Sequence, residues 1–316
     1  MTALDHRVQA GPDPLAGGRA ELPLRVITGS PPLRQQVRDI WSYRELLAAQ
    51  TRKELKVRYK GSALGFFWSM LTPASTLGVY YVVFQILLKN GTPHFALFLA
   101  SGILCFNMLT MALTVSVSAV VSHSAIVKKV SFPREILAIA PTGAATVHLG
   151  LQAVVVAAFL AAFRSGPAVA YLPLLVPAVV ALTVFSAAVG LLLAAVNVRV
   201  RDMEHALQIA LQVWFWATPI LITYRRVRDS VLAGHSVLGH VLFVLYRLDP
   251  MTPIVLTFQR VIYAKTSPQG VPVLPDQAGQ WWYLWQLLAV IGFSCALFVV
   301  ALKVFNRCQG SFAEEL

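Results

Sequence analysis

The sequence contains little charge and few cysteines. Of its 316 residues, 13% are charged, 14 are Asp or Glu and three are cysteines, whereas 57% are hydrophobic. This composition excludes an ordinary soluble domain and predicts a membrane protein. Cys105, Cys295 and Cys308 lack the spacing of disulfide partners or of metal ligands. We therefore interpret them as free thiols and expect no metal site.

Several catalytic motifs are also absent. The chain has no G-x-x-x-x-G-K-[ST] loop for ATP, and no H-E-x-x-H, C-x-x-C or G-x-S-x-G. No acidic residue falls in the middle of an apolar run, which disfavours a proton- or sodium-coupled carrier. The close pair Asp202 and Glu204 keeps a polytopic membrane glycosyltransferase as an alternative, although Arg199 and Arg201 neutralise this pair more simply. We expect no catalytic residue and no cofactor in this chain.

Six apolar runs have roughly the 20 residues that a helix needs to cross a bilayer. They lie near residues 64–88, 95–121, 136–163, 171–196, 206–223 and 284–305. With both termini in the cytosol, most Lys and Arg lie on the cytosolic side, so the net charge of +12 indicates topology and contact with anionic lipids rather than nucleic acid. Residues 1–38 lack a signal peptide and are expected to form a disordered cytosolic tail, and residues 311–316 the cytosolic C-terminus.

The segment before the first apolar run, residues 39–60, is predicted to form an amphipathic interface helix. Ser42 and Glu45 have the spacing of a capping box, which predicts a helix start at Tyr43. Apolar and aromatic residues recur at multiples of four from Tyr43 to Tyr59, with cations on the other faces. Such a helix either lies in the lipid headgroups or passes force from a cytosolic partner to the first span.

Two connections stand out among the predicted loops. Between the second and third spans, Lys128 and Lys129 suit anchoring at the cytosolic side, and Pro133 fits the first turn of the next helix. On the other side, residues 224–283 are too long for an ordinary loop. Within them, 237–248 and 253–263 are predicted to form a re-entrant helical hairpin, with Thr252 as the N-cap of its second helix and Arg247 paired to Asp249. A cap of two interfacial helices outside the membrane is the alternative.

Aromatic residues are frequent in the predicted first, second and fifth spans. They are Phe67, Tyr80, Tyr81, Phe84, Phe106, Trp214, Phe215 and Trp216. Tyr and Trp gather at membrane interfaces in any case. Aromatic rings beside the polar Gln208 and Gln212 also suit the apolar faces and hydroxyls of sugars. The pattern leaves lipid-facing and channel-lining positions as alternatives.

Five segments, in this order, resemble the membrane subunit of type-two ABC exporters. They are YRELL, LKVRYKGSALGFFWSMLTP, VKKVSFPREIL, AAVNVRVRDMEHALQIALQVWFWATPI and LDPMTPIVLTFQRVIY, and the likeness extends over residues 38–310. Within this family the sequence is most similar to the permeases for lipid-linked polysaccharides such as O-antigen, teichoic acid and galactan. Its alanine- and arginine-rich composition favours a cell-wall galactan. A drug or a lipid is the alternative cargo.

The resemblance implies an all-α transmembrane domain over residues 61–310 and a set of partners. Two copies of the chain would bind two copies of a cytosolic P-loop ATPase, which would carry ATP and Mg²⁺, in a bacterial cytoplasmic membrane. The complex would move a polyprenyl-diphosphate-linked polysaccharide outward, by processive threading or by a flip followed by threading. Residues 224–283 would close the outer end of the channel.

The resemblance also implies roles for individual residues. The ATPase contacts would be Tyr43, Arg44, Ser131, Phe132, Pro133, Arg134 and Glu135. The diphosphate would be attracted by Arg52, Lys53, Lys56 and Arg58, where the lipid leaves the cytosolic leaflet. The eight aromatic residues named above would line the channel.

Overall fold

The computed structural model describes residues 33–60, 67–89, 95–125, 132–162, 167–232, 237–263, 274–275 and 279–309. All the regular structure in these ranges is helical, as the sequence predicts. The C-terminal segment 311–316 and residues 1–32 of the predicted tail lie outside the described residues.

Eleven α-helices are defined in these ranges, with two short helices of other types. They are α1 (Leu33–Ser42), α2 (Arg44–Tyr59), α3 (Phe67–Tyr81, continued by a π-helix over Val82–Leu87), α4 (Phe95–Ser122), α5 (Glu135–Ala162), a 3₁₀ helix (Val169–Leu174) that leads into α6 (Leu175–Asn197), α7 (Met203–Ala217), α8 (Tyr224–Leu232), α9 (Val237–Leu248), α10 (Met251–Ile262) and α11 (Gln280–Gln309).

Four of the described helices are long and apolar enough to cross a membrane. These candidate spans are Phe95–Ser122, Glu135–Ala157, Val169–Asn197 and Gln280–Gln309, and α9 with α10 would make a fifth if the pair, bent by 70°, is one span. The protein is therefore an all-helical, multi-pass membrane protein.

The predicted first and fifth spans are shorter helices in the structure. α3 changes to a π-helix at Val82. α7 has 15 residues and ends at Ala217, and the next residue, Thr218, has an extended backbone with φ of −94° and ψ of 150°. Pro219 explains this end, because the residue before a proline is sterically kept out of the helical region. Length and composition thus give four or five spans among the described residues and do not confirm the predicted six.

The core of the bundle is formed by α4 and α6. α4 is the most buried of the candidate spans and α11 the least. A Cβ added at Gly190 of α6 would come within 2.9 Å of the side chain of Ser116 on α4. The Ser116 hydroxyl donates to the carbonyl of Ala138 on α5 at 2.8 Å. Small residues therefore let three helix backbones approach closely, as is typical of membrane bundles.

The start of the interface helix differs from the prediction. α1 begins at Leu33, inside the segment predicted as a tail, and ends at Ser42, whose hydroxyl donates to the carbonyl of Asp39 at 2.8 Å. Tyr43 separates α1 from α2 and makes no side-chain cap bond. The predicted capping box is therefore wrong, because the Ser42 side chain bonds backward to its own helix and does not cap the next one.

Candidate transport pathway and coupling surfaces

Five of the predicted channel aromatics form a continuous aromatic strip over α3, α4 and α7, which we define as Tyr80, Phe84, Phe106, Phe215 and Trp216. Phe215 is at its centre: its ring centroid lies 5.8 Å from Tyr80 in a stacked arrangement and 5.2 Å from Phe106 edge to face. Phe84 contacts Tyr80 at 6.4 Å, and Trp216 contacts Phe215 at 6.4 Å. The strip holds three helices together, and Trp216 extends it to the surface because this side chain is 54% exposed.

The other three predicted channel aromatics lie elsewhere. Phe67 is 57% and Tyr81 38% exposed on α3. Tyr81 follows Tyr80 directly, so the two side chains leave the helix in different directions. Trp214 is half-buried and packs edge to face on Phe185 of α6 at 5.8 Å. The eight aromatics are therefore not one surface.

Trp214 connects α7 to the turn between α9 and α10. Its indole Nε1 donates to Oδ1 of Asp249 at 2.9 Å. The same carboxylate accepts from the backbone N–H of Met251 at 3.1 Å and from the hydroxyl of Thr252 at 3.2 Å. Asp249 thus caps α10, and the predictions that Thr252 caps this helix and that Asp249 pairs with Arg247 are wrong. The first N–H groups of a helix have no partner within the helix and attract an anion, and the Asp249 carboxylate accepts from one of them, that of Met251.

α10 packs inside the protein. Its residues from Met251 to Gln259 are all buried. The Gln259 side-chain amide donates to the carbonyl of Pro219 at 2.6 Å, and the guanidinium of Arg260 lies 4.6 Å from the ring of Tyr171 and donates to its hydroxyl at 3.2 Å. By contrast, α9 exposes Val237, Leu245 and Leu248. The pair therefore inserts one helix into the bundle beside the end of α7 and leaves the other outside it.

α2 is held against α4 and α5 by polar contacts. The Thr51 hydroxyl donates to the carbonyl of Ala140 at 3.3 Å. Lys53 Nζ lies 3.1 Å from Nε2 of His123, which follows the end of α4. The other ring nitrogen, Nδ1, lies 2.9 Å from the carbonyl of Ala119, so Nδ1–H donates to that oxygen and Nε2 is left to accept from the ammonium.

The four cations predicted to attract a diphosphate lie on α2. Arg52, Lys53, Lys56 and Arg58 are all exposed. Lys53 is also the residue that contacts His123. One of the four therefore joins α2 to α4, and all four present charge on the surface of α2.

The predicted ATPase-contacting residues lie at two places. Tyr43 and Arg44 are exposed at the junction of α1 and α2. Phe132, Pro133 and Arg134 are half-buried just before α5, and Glu135 is 5% exposed at its first position. Arg134 donates to the carbonyl of Gln309 at the end of α11, at 3.3 Å. Ser131 lies outside the described residues.

Three contacts at these sites were missed by the sequence reasoning. The Trp214–Asp249 and Gln259–Pro219 bonds join residues 35 and 40 positions apart, and the Lys53–His123 contact joins residues 70 apart. No local periodicity signals such pairs. In the acidic pair Asp202 and Glu204, the Glu204 carboxylate accepts a hydrogen bond from the side-chain amide of Asn197 at 3.2 Å. This bond joins α6 to α7 across the turn between them.

Comparison with known proteins now decides the family. The family model described as "ABC-2 type transporter" matches residues 45–236, from the second residue of α2 to four residues beyond α8. The chain belongs to the ABC-2 type transporter family. It is a transport subunit, and the aromatic strip, α2 from Glu45 onward and the segment before α5 all lie within the matched residues of this ABC-2 chain.

Curated relatives match almost the whole ABC-2 chain. The O-antigen export system permease protein RfbA of Myxococcus xanthus is 28% identical over 283 residues, which are 89% of this chain and 98% of the relative. A protein of the same name from Klebsiella pneumoniae is 24% identical over 272 residues, 86% of this chain and 95% of the relative. Another from Klebsiella pneumoniae is 23% identical over 276 residues.

Proposed function

We propose that this ABC-2 chain is the membrane subunit of an ATP-driven exporter of a polysaccharide attached to polyprenyl diphosphate. The relatives are named as O-antigen export permeases. The observation that carries the proposal is the aromatic strip, in which five rings from α3, α4 and α7 contact one another around Phe215. Trp216 is exposed, Tyr80, Phe84 and Phe215 are half-buried, and Phe106 is buried. Aromatic faces hold the apolar faces of sugars without a fixed hydrogen-bond pattern, so a polymer can move along them. Cell-wall galactan is one cargo of this kind.

A second copy of the chain would complete the channel. On α7, Ile209, Val213 and Trp216 are 67%, 64% and 54% exposed, and their spacing puts them on one helix face. Gln208 and Gln212 are exposed beside them. A face that mixes apolar, amide and indole groups fits a partner helix and a passing glycan better than it fits hydrocarbon, because an unpaired amide is costly in a lipid environment.

The energy source would be a separate cytosolic ATPase that contacts both surfaces at the inner end. Tyr43 and Arg44 would contact it on one side and Phe132, Pro133 and Arg134 on the other. Because α2 is bonded to α4 and α5 through Lys53 and Thr51, a push on α2 would reach the helices that carry the strip. Arg52, Lys56 and Arg58, which are exposed, would attract the diphosphate of the lipid carrier.

The proposed topology has six membrane crossings in the bacterial inner membrane with both termini in the cytosol. α3 and α7 would be the two short crossings. α10 would enter from outside as a re-entrant helix and close the outer end of the strip, held by Asp249 and Gln259. Its burial supports this position.

The test is purification of the chain from its native membrane, followed by mass spectrometry of the proteins and lipids that remain bound. A P-loop ATPase in a one-to-one ratio and a polyprenyl-linked glycan are expected. Depletion of the chain should cause the same glycan to accumulate inside the cell. A phospholipid or drug that accumulates instead, with normal glycan export, would contradict the proposed cargo. Purification without any ATPase would contradict the exporter itself.

A further inference from the structure

α1 presents apolar and cationic side chains together to its surroundings. Val37 is 52% and Trp41 72% exposed, and their spacing of four residues puts them on one face. Arg34 and Arg38, also four residues apart, are exposed beside them. Large exposed apolar side chains flanked by arginines are typical of a helix at a membrane surface, where Trp lies at the level of the headgroups and Arg reaches the phosphates.

An open cleft of about 1020 Å³ separates this part of α1 from α11. Arg34, Arg38, Val37 and Trp41 line one side, and Phe298 lines the other. Phe298 lies about three turns before the end of α11 at Gln309, or about 16 Å along the helix axis. Ile40 and Phe298 both pack against the same cluster of buried residues from α4, α5, α6 and α11. The cleft therefore has a cationic rim and an apolar wall that continues along a membrane span.

The chemistry of the cleft selects an amphiphile. Two arginines and one acidic residue, Asp39, line it, so its net charge is positive and complements an anion. A small soluble anion would leave Trp41 and Phe298 without a partner, whereas a neutral hydrocarbon would leave the arginines without one. A molecule with a negative headgroup and a long apolar chain satisfies both.

We propose that the cleft between α1 and α11 binds an anionic phospholipid of the leaflet beside α1, which is the cytosolic leaflet in the topology proposed above. The phosphate lies between Arg34 and Arg38, and an acyl chain follows Val37 and Trp41 toward Phe298. The bound lipid bridges α1 and α11 and so steadies the start of α2, because only Tyr43 separates the two helices. This site is independent of the exported cargo.

Photolabelling of the full chain in nanodiscs tests the site. Phosphatidylglycerol with a diazirine on its acyl chain is added as a minor component to phosphatidylcholine, and labelled peptides are identified by mass spectrometry. We expect labelling at α1 and around Phe298 that is about tenfold stronger than with diazirine-labelled phosphatidylcholine, since each arginine near a membrane surface favours anionic lipid. Equal labelling by the two lipids would overturn the proposal.

Matched variants distinguish binding in the cleft from a general electrostatic attraction of anionic lipid to the protein. Arg34→Gln with Arg38→Gln should reduce labelling at α1 about tenfold, and Trp41→Ala should reduce it at α1 while sparing more distant lipid contacts. Arg44→Gln with Arg52→Gln removes the same charge from the exposed surface of α2 and should leave labelling at α1 unchanged. Monodisperse elution on gel filtration shows that each variant is folded. If the control pair reduces labelling at α1 equally, no specific site exists.

A competition experiment distinguishes a phospholipid from the polyprenyl lipid that carries the glycan. Undecaprenyl diphosphate is added at the same mole fraction as the phosphatidylglycerol probe. Labelling that persists supports a phospholipid site. If the polyprenyl lipid displaces the probe, the cleft is a carrier site and the phospholipid proposal is wrong, whatever the outcome of the export experiments.

Discussion

Trp214 donates its indole N–H to Asp249 at 2.9 Å and so joins α7, which carries two of the five rings of the aromatic strip, to the turn that starts α10. Asp249 also accepts from Met251 and Thr252. One carboxylate therefore fixes both the start of the inserted helix and its distance from α7. In the proposed exporter, the outer closure and the strip must then move together or break this bond.

Replacement of Asp249 by Ala should destabilise the protein by about 3 kcal/mol, because it removes a helix cap and leaves a partly buried indole N–H unpaired. Asp249→Asn keeps an acceptor oxygen and should have an intermediate effect. Thermal unfolding in detergent measures the difference. Asp229→Ala removes an acidic residue whose contacts are to Arg225 and Arg228 on the surface, and it should leave the melting temperature nearly unchanged. Equal shifts for Asp249→Ala and Asp229→Ala would show that the cap contributes nothing.

Trp216 offers a test of the strip that affects stability little, since its side chain is 54% exposed. If the strip guides a glycan as proposed, Trp216→Ala should slow glycan export severalfold while ATP hydrolysis by the complex continues, because one aromatic face for the sugars is lost. Pulse-labelling of surface glycan measures the export rate. Trp285→Ala on α11 is the matched control: its side chain is 68% exposed and lies outside the strip. Unchanged export in Trp216→Ala would assign this ring to lipid.

The sequence predicts those parts of the fold that depend on neighbours along the chain. The windows 95–121 and 136–163 agree closely with Phe95–Ser122 and Glu135–Ala162, because an apolar run long enough to span a membrane is a local property. α1 was missed although Leu33, Val37, Ile40 and Trp41 recur at helical spacing, because most of this helix falls in residues 1–38, which were assigned to a disordered tail. The Ser42 capping box failed because a local motif is compatible with two bonding partners, and only the packed chain decides which one forms.

Tertiary contacts were the least predictable part of the candidate site. Eight aromatic residues could be selected from composition, but only five of them form the strip. Trp214 and Phe215 are adjacent in sequence, yet Trp214 lies against Phe185 and Asp249 while Phe215 lies against Tyr80 and Phe106. Which ring faces which neighbour depends on how α7 is rotated against α3, α4 and α6, and no pattern within α7 encodes that rotation.

Phe132 provides a test of the proposed ATPase-contacting surface before α5. Phe132→Ala should lower the amount of ATPase that co-purifies per permease at least severalfold, because a large ring is the kind of residue that anchors an interface. Its neighbour Arg134 is a poorer probe, since its guanidinium also bonds to Gln309. Val200→Ala, at a side chain 49% exposed in the turn between α6 and α7, is the control and should retain the ATPase. Full retention of the ATPase in a folded Phe132→Ala variant would remove this residue from the interface.

Gly143 on α5 should be essential for the close packing of α2 against α5. A Cβ at this position would lie 2.9 Å from Oγ1 and 3.2 Å from Cγ2 of Thr51, so Gly143→Ala should move α2 away from α5 at a cost of about 1–3 kcal/mol. In the proposed exporter this should uncouple ATP hydrolysis from glycan export. Gly150→Ala, on the same helix, meets nothing within 4 Å and should behave like the parent protein.

A double variant tests whether Gly143 acts through its close approach to Thr51. Thr51→Ala removes the two atoms that an added Cβ at Gly143 would touch most closely, while the Cβ of residue 51 remains at an ordinary distance of 3.7 Å. The combination of Gly143→Ala with Thr51→Ala should therefore recover most of the stability and coupling that Gly143→Ala alone loses, although the bond from Thr51 to Ala140 is gone. Two contacting residues are expected to show such non-additivity, whereas independent sites are not. Simple addition of the two effects in unfolding and export assays would mean that Gly143 acts through something other than its contact with α2.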